Sequence, residues 1–226
     1  DLHGLDDEIH LASRGYAASK WVGEKLFMIA GEQGIPCNIF RLGLIWADTQ
    51  LGRYDQLQRD HRIIKSCILS GFGIEHYTHD MPPTPVDYAA RAILRLSGAH
   101  PFGQRVFHIS SAAQMLGGIF ERCNDIMGLS LKIVTLYDWI REIKRLSDKG
   151  ISLPVVPLVE FAFSMDEQTF YEHQAQNRRI NFDASRTHAE LEQAAIVAPA
   201  LDDRLLRLCL ERMLAEDKQP TKFSYA

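Results

Sequence analysis

Gly15-Tyr16-Ala17-Ala18-Ser19-Lys20-Trp21 opens the first regular segment of the chain, whose apolar positions Ala18, Val22, Leu26, Ile29 and Ala30 recur at helical spacing as far as Gln33. Gly34 and Pro36 then stop the helix. Cys37-Asn38-Ile39-Phe40-Arg41-Leu42 follows, short and apolar-rich after the Gly/Pro turn, and reads as a strand entering a parallel sheet. A helix leading into such a strand is half of an α/β repeat, so the fold class expected is α/β. Within the helix, Tyr16 and Lys20 stand four apart on one face. An ammonium one turn from a phenol stabilises the phenolate, which suits the phenol to proton transfer near neutral pH. The spacing alone is a weak signal, since a chain with seven tyrosines meets Tyr-xxx-Lys by accident about once in four.

Outward from that pair, residues 46–55 carry Gly, Asp and Thr and read as a loop, and 57–70 regain the helical period. The segment 71–85, with Gly73, Pro82, Pro83 and Pro85, reads as a turn-rich crossing between layers. Asp87 is placed to cap a helix through Tyr88, Ala92, Ile93 and Leu96, ending near Gly98. Residues 105–110 alternate as a strand. Beyond them the pattern predicts a helix over 115–127, a strand over 131–136 and a helix over 137–146. An apolar stretch follows at 154–163, then a short helix from Asp183 to Leu191, and a last helix over 202–215 with Leu206, Leu210 and Met213 on one face. The tail from Lys218 reads as mobile.

The length of 226 residues lies between one domain and two, and 46% hydrophobic with 24% charged residues excludes a disordered or fibrous chain. Net charge is −4 with scattered cations, which gives no footprint for nucleic acid. No apolar run approaches the length of about 18 residues that a membrane span needs, and no basic-then-apolar leader is present. A soluble, non-secreted, cytoplasmic protein is expected. Cys37, Cys67, Cys123 and Cys209 lack metal or redox spacing and read as buried free thiols; His76 and His79, the one close histidine pair, have no second pair of ligands nearby. No metal site is expected. Asp1 to His10 reads as loop, and a chain opening there without methionine does not look like a native N-terminus.

Several motifs in order carry a resemblance: Tyr16-Ala17-Ala18-Ser19-Lys20-Trp21-Val22-Gly23-Glu24-Lys25-Leu26, Gly34-Ile35-Pro36, Phe40-Arg41-Leu42-Gly43, and Thr84-Pro85-Val86-Asp87-Tyr88-Ala89-Ala90-Arg91-Ala92-Ile93. Over residues 15–110 the chain resembles the thioester reductase domains that end non-ribosomal peptide and polyketide synthetases. These are extended short-chain dehydrogenase/reductases, with relatives in carboxylic acid reductases and aminoadipate reductase. Val106-Phe107-His108-Ile109, Leu136-Tyr137-Asp138-Trp139 and Phe182-Asp183 through Leu191 continue the likeness into the family's substrate subdomain. The resemblance implies the C-terminal part of a Rossmann-like parallel sheet with a smaller, mostly helical substrate subdomain, divided at residues 1–112 and 113–226.

It also implies roles. Tyr16 is the expected catalytic acid, and Lys20 its activator and a holder of the nicotinamide ribose. Leu42, Gly43, Leu44 and Ile45 match the loop whose backbone meets the nicotinamide, with Leu42 standing where family members often have proline. The implied cofactor is NADPH, with NADH left open. The implied partner is a phosphopantetheinylated acyl or peptidyl carrier protein, delivered by upstream synthetase domains. The implied product is an aldehyde, which some relatives reduce on to an alcohol. The glycine-rich phosphate turn and the triad Ser or Thr do not precede Tyr16, so the chain is expected to be truncated at its N-terminus; Gly117-Gly118 comes too late for the turn and Ser13 too close to Tyr16 for the triad.

Other residues have plainer expectations. Trp21, Val22 and Leu26 read as core, Asp87 as a cap and interdomain hydrogen bond, and Arg178-Arg179 as solvated surface rather than a phosphate or carrier contact. Phe161, Phe163, Phe170 and Tyr171 read as core before they read as an acyl channel. Two alternatives remain at this stage: another extended reductase or epimerase acting on acyl-CoA or nucleotide sugars, and a non-catalytic carrier-docking module.

Overall fold

The computed structural model describes residues 15–77, 83–101, 104–111, 118–175 and 183–216. The expected loop 1–10, Ser13, His79, Pro82, the start of the helix expected at 115, Gly117, Arg178-Arg179, Phe182 and the tail from Lys218 lie outside these residues.

Helix α1, Gly15–Glu32, is followed by strand β1, Cys37–Leu42, as the apolar period and the Gly34/Pro36 stop require. The turn between them closes with Ile35 N donating to the Ala30 carbonyl at 3.0 Å. After Gly43, β2 runs Leu44–Trp46, and a loop leads to α2, Arg59–Ser70. The Gln58 side chain caps α2 by accepting from the backbone N–H groups of Asp60 and His61. Strands β3, Phe72–Ile74, and β4, Pro83–Pro85, precede α3, Val86–Ala99, and β5, Gln104–Ile109. Then come α4, Ile119–Met127; β6, Lys132–Val134; α5, Leu136–Asp148; and the short α6, Val156–Val159, with a 3-10 turn at Glu160–Ala162. Helices α7, Glu167–Ala175, α8, Ser185–Glu192, and α9, Asp203–Glu216, complete the described chain.

All strand pairing among the described residues is parallel: β1 with β5, β2 with β4, and β3 with β6. Parallel neighbours need long crossovers, and here helices supply them. The α/β class expected from the helix-strand succession is the class observed. One expectation needs correction: the segment 71–85 is not only a crossing, because β3 and β4 lie within it. Pro83 and Pro85 carry no N–H, so β4 is a strand of three residues that the turn-rich composition conceals.

Two cores form. Tyr88, Ala92 and Leu96 of α3, Phe107 and Ile109 of β5, and Leu191 of α8 make the first. The second gathers Trp46, Ile64, Phe120, Trp139, Ile143 and the α9 face of Leu206, Leu210 and Met213. Burying each large side chain contributes about 1.5–3 kcal/mol. Although it lies between elements of the second core in sequence, α8 packs on β5 and α3: His188 Nε2 lies 2.7 Å from the Ser110 carbonyl oxygen.

The apolar stripe of α1 departs from expectation. Val22 is exposed, Leu26 is 61% and Phe27 58% exposed, and Trp21 is half-buried, so these residues are not core among the described residues. Helical periodicity identifies an apolar face but not what covers it. The thiols of Cys67, Cys123 and Cys209 are buried, as expected, and Cys37 is half-buried. Burial pushes the Cys123 thiol up to about 12 and the Cys67 thiol well above its usual value, so neither is a nucleophile at neutral pH. No helix among the described residues is long and apolar enough to cross a membrane, and none of their side chains cluster as a metal site.

Candidate functional site

Helix α1 presents its first turn to solvent. Tyr16 is 77% exposed, and the Lys20 ammonium sits over its ring, 5.4 Å from the centroid. The i,i+4 spacing makes this meeting possible, and Ser19 Oγ donates to the Tyr16 carbonyl at 2.8 Å within the same turn. Tyr16 and Lys20 are therefore brought together, cation over ring face.

The next residue at four-residue spacing is Glu24, and it anchors the helix. Arg41 on β1 donates from Nε to Glu24 Oε2 at 2.9 Å and from Nη2 to Oε1. Hydrogen bonding from Arg41, against some cost of burial, holds the Glu24 carboxyl below the usual carboxylate range, and the same contact raises Arg41. Parallel register places Arg41 opposite His108 on β5, and Arg41 Nη1 lies 3.2 Å from His108 Nε2. His108 Nδ1 lies 2.8 Å from the Asp183 carbonyl oxygen, just ahead of α8. Asp183 does not cap α8 as its capping residue. Ala184 holds that position, and the Asp183 carboxylate accepts from Ser185 N at 2.9 Å, which lowers its pKa. Glu24 could have been found from sequence, as the third member of the spacing Tyr16, Lys20, Glu24. Arg41 and His108 could not, because strand register brings them together.

The loop expected at 42–45 is corrected to strand on either side of one residue: Leu42 ends β1, Leu44 and Ile45 belong to β2, and Gly43 alone joins them. Gly43 N–H donates to the Ile109 carbonyl at 2.7 Å, so this amide is committed to the strand framework. Since α1 packs on β1, whose last residue is Leu42, the helix and this junction share one support.

The loop after β2 is built on Asp48, whose Oδ1 accepts from Gln50 N at 3.0 Å and Leu51 N at 2.7 Å and whose Oδ2 accepts from Arg53 N at 2.8 Å. Partial burial pushes the Asp48 pKa up, but the amides of Leu51, Arg53 and Gln50 outweigh it and the net shift is downward. Stability linked to a depressed carboxylate is complete above the unfolded value and lost as pH falls through the folded one. Replacing Asp48 by Ala should speed hydrogen exchange at Gln50, Leu51 and Arg53 about tenfold, a charged acceptor being lost. In the unsubstituted protein the same protection should fade below the ordinary carboxylate range; mass-resolved exchange measures both.

Asp87 is corrected as a cap. Helix α3 begins at Val86 with Pro85 in the capping position, and Asp87 lies inside the first turn. Its carboxylate accepts from Thr49 Oγ1 at 2.6 Å and Thr49 N at 3.2 Å, tying α3 to the loop after β2.

A groove of about 420 Å³ lies against α5, lined by Tyr137, Arg141, Lys144, Arg145, Phe163 and Met165 among others. Its charges are largely met: Lys144 pairs with Asp148 at 2.6 Å and Arg145 with Glu142 at 2.7 Å, while Arg141 lies over the Tyr137 ring. Phe170 is fully buried as expected, Phe163 lines the groove, and Phe161 and Tyr171 are exposed rather than core.

Known proteins share this fold. Residues 4–93 match the NAD-binding family model described as "Male sterility protein". One component of linear gramicidin synthase, from Brevibacillus parabrevis, is 24% identical over 209 residues, 92% of this chain and 4% of that protein. The terminal R domain from the myxalamid PKS-NRPS biosynthetic pathway superposes with a TM-score of 0.73 at 22% identity, over 91% of this chain and 50% of that one. A thiolation-reductase di-domain from an archaeal non-ribosomal peptide synthetase gives 0.67 at 19% identity, over 91% of this chain and 42% of that one. The chain has the Rossmann-like α/β fold of reductase domains. Within that fold, the chain is similar to domains of peptide and polyketide synthetases. The chain spans about half the length of that R domain and a small fraction of the gramicidin synthase component.

Proposed function

We propose that this chain is part of an NAD(P)H-dependent reductase that releases an acyl group from a carrier-protein thioester as an aldehyde. The observation that carries this reading is the exposed Tyr16 with Lys20 over its ring, on a helix bolted to a parallel pair of strands. The hydroxyl and ammonium on one open face fit the ribose end of a nicotinamide cofactor, with Lys20 a donor to the ribose. Gly43 cannot contribute its N–H, so the junction 42–45 would meet the cofactor through other atoms. When bound, the cofactor supplies hydride to the thioester carbonyl carbon. Tyr16 gives its proton to the carbonyl oxygen as that oxygen becomes an alkoxide, and the hemithioacetal then collapses to aldehyde and the free thiol of the carrier arm.

The rest of the site is to be supplied by further sequence of the same protein. Leu26 and Phe27 leave an apolar face of α1 uncovered, and among the described residues β1 pairs with β5 alone. Strands beyond β1, together with a glycine-rich phosphate turn, would cover that face and complete the cofactor site. A carrier protein as partner follows from the tethered substrate, and the solved thiolation-reductase neighbour supports it.

The test uses the full-length protein, its carrier loaded with an acyl thioester, and NADPH. Aldehyde trapped as an oxime, with the carrier thioester reduced faster than the matching acyl-CoA, is the expected result. Faster turnover of acyl-CoA or of a nucleotide sugar would overturn the assignment.

A further inference from the structure

Tyr16, Lys20 and Glu24 form one stripe on α1, each about a turn beyond the last. On an open helix face, lysine and glutamate four apart attract each other. Here that pair is not made, and no carboxylate among the described residues pairs with Lys20, whose ammonium lies over Tyr16. Both Glu24 oxygens are instead taken by the fork of Arg41. Arg41 is held in turn. The Asp183 carbonyl oxygen can only accept, so His108 Nδ1 carries the hydrogen; Nε2 is then the lone pair that receives Arg41 Nη1. Lys25, the other cation near Glu24, lies 5.2 Å from the centroid of the Trp21 ring.

We propose that Arg41, backed by His108, is a positioning residue that keeps Glu24 away from Lys20, so that the ammonium stays with Tyr16. The proposal rests on the reading of Tyr16 and Lys20 as the acid pair. Without the guanidinium, Glu24 loses its bidentate partner, and Lys20 stands one turn back on the same stripe, whereas Lys25 lies over Trp21. Pairing one turn onward draws the ammonium off the Tyr16 ring and weakens its field at the phenol.

The test compares Arg41→Met with the double variant Arg41→Met/Glu24→Gln in the full-length protein, by two readouts. The first is the rate at which a small amine-acetylating reagent modifies Lys20, read from the tryptic peptide by mass spectrometry. Arg41→Met should slow it about twofold, and the double variant should restore it. The second is reduction of the carrier thioester, which should fall about fivefold in Arg41→Met and recover to within about twofold in the double variant. A role confined to bracing the fold predicts no such rescue, because the second substitution adds no contact. Unchanged labelling in Arg41→Met, or a double variant no better than the single one, overturns the proposal. Full turnover by Tyr16→Phe would instead overturn the underlying reading and the proposal with it, so the two failures are distinguished by different variants.

Discussion

Replacing Tyr16 by Phe should lower turnover of a carrier-bound thioester by about 10²- to 10⁴-fold, the usual worth of a positioned proton donor. The substitution is clean because the ring is retained and Lys20 can remain above it. Tyr16 is 77% exposed, so deleting its hydroxyl removes no buried hydrogen bond, and stability should change by less than about 0.5 kcal/mol. Loss of activity without loss of fold would therefore report chemistry. The check is kcat for the Phe variant beside its thermal unfolding, with the same full-length protein and carrier substrate. Turnover within twofold of the parent would exclude Tyr16 as the acid. Lys20→Met should give a smaller fall, about tenfold, since it removes the ammonium but leaves the donor.

Much of this framework was legible in the sequence, and the parts that were not share a cause. Helix α1 and strand β1 have the bounds their apolar periods and the Gly34/Pro36 stop predict, because those signals are local. Likewise α9 buries the expected face of Leu206, Leu210 and Met213. Strands β2, β3 and β4 are not legible because three residues show no period, and each pairs with a strand distant in sequence. Local rules also mistook Asp87 for a cap; its true partner, Thr49, is reached only when the loop after β2 folds over α3. The same division runs through the site. Spacing alone pairs Tyr16 with Lys20, whereas Arg41 meets His108 only through parallel register. The apolar stripe of α1 was readable as a stripe, but its exposure at Leu26 and Phe27 was not, since exposure belongs to the fold around a helix.

Gly52→Ala should be the most destabilising of the conservative loop substitutions, by about 2–5 kcal/mol. Two costs add. Gly52 has φ of +64°, a left-handed conformation that costs an L-residue about 1–2 kcal/mol. A Cβ there would also lie 2.5 Å from the Leu208 carbonyl oxygen and 2.7 Å from its carbon, both backbone atoms of α9, and forcing such an overlap costs about 1–3 kcal/mol. Because the obstacle is helix backbone, no rotamer change relieves it; the loop must lift off α9. That loop is the joint between the two cores. It leaves β2 where Ile45 packs on the first core and Trp46 enters the second, Thr49 ties it to Asp87 of α3, and Gly52 seats it on α9. Gly71→Ala provides the control: φ is +76° but nothing lies within 4 Å of its Cβ, so only the backbone cost of about 1–2 kcal/mol applies. Denaturant unfolding of the two variants should separate the terms, and hydrogen exchange at Gln50 to Arg53 should rise in Gly52→Ala but not in Gly71→Ala. Equal destabilisation by the two alanines would mean that the approach to Leu208 carries no energy, and that the loop after β2 does not hold α9 against the strand that supports the site.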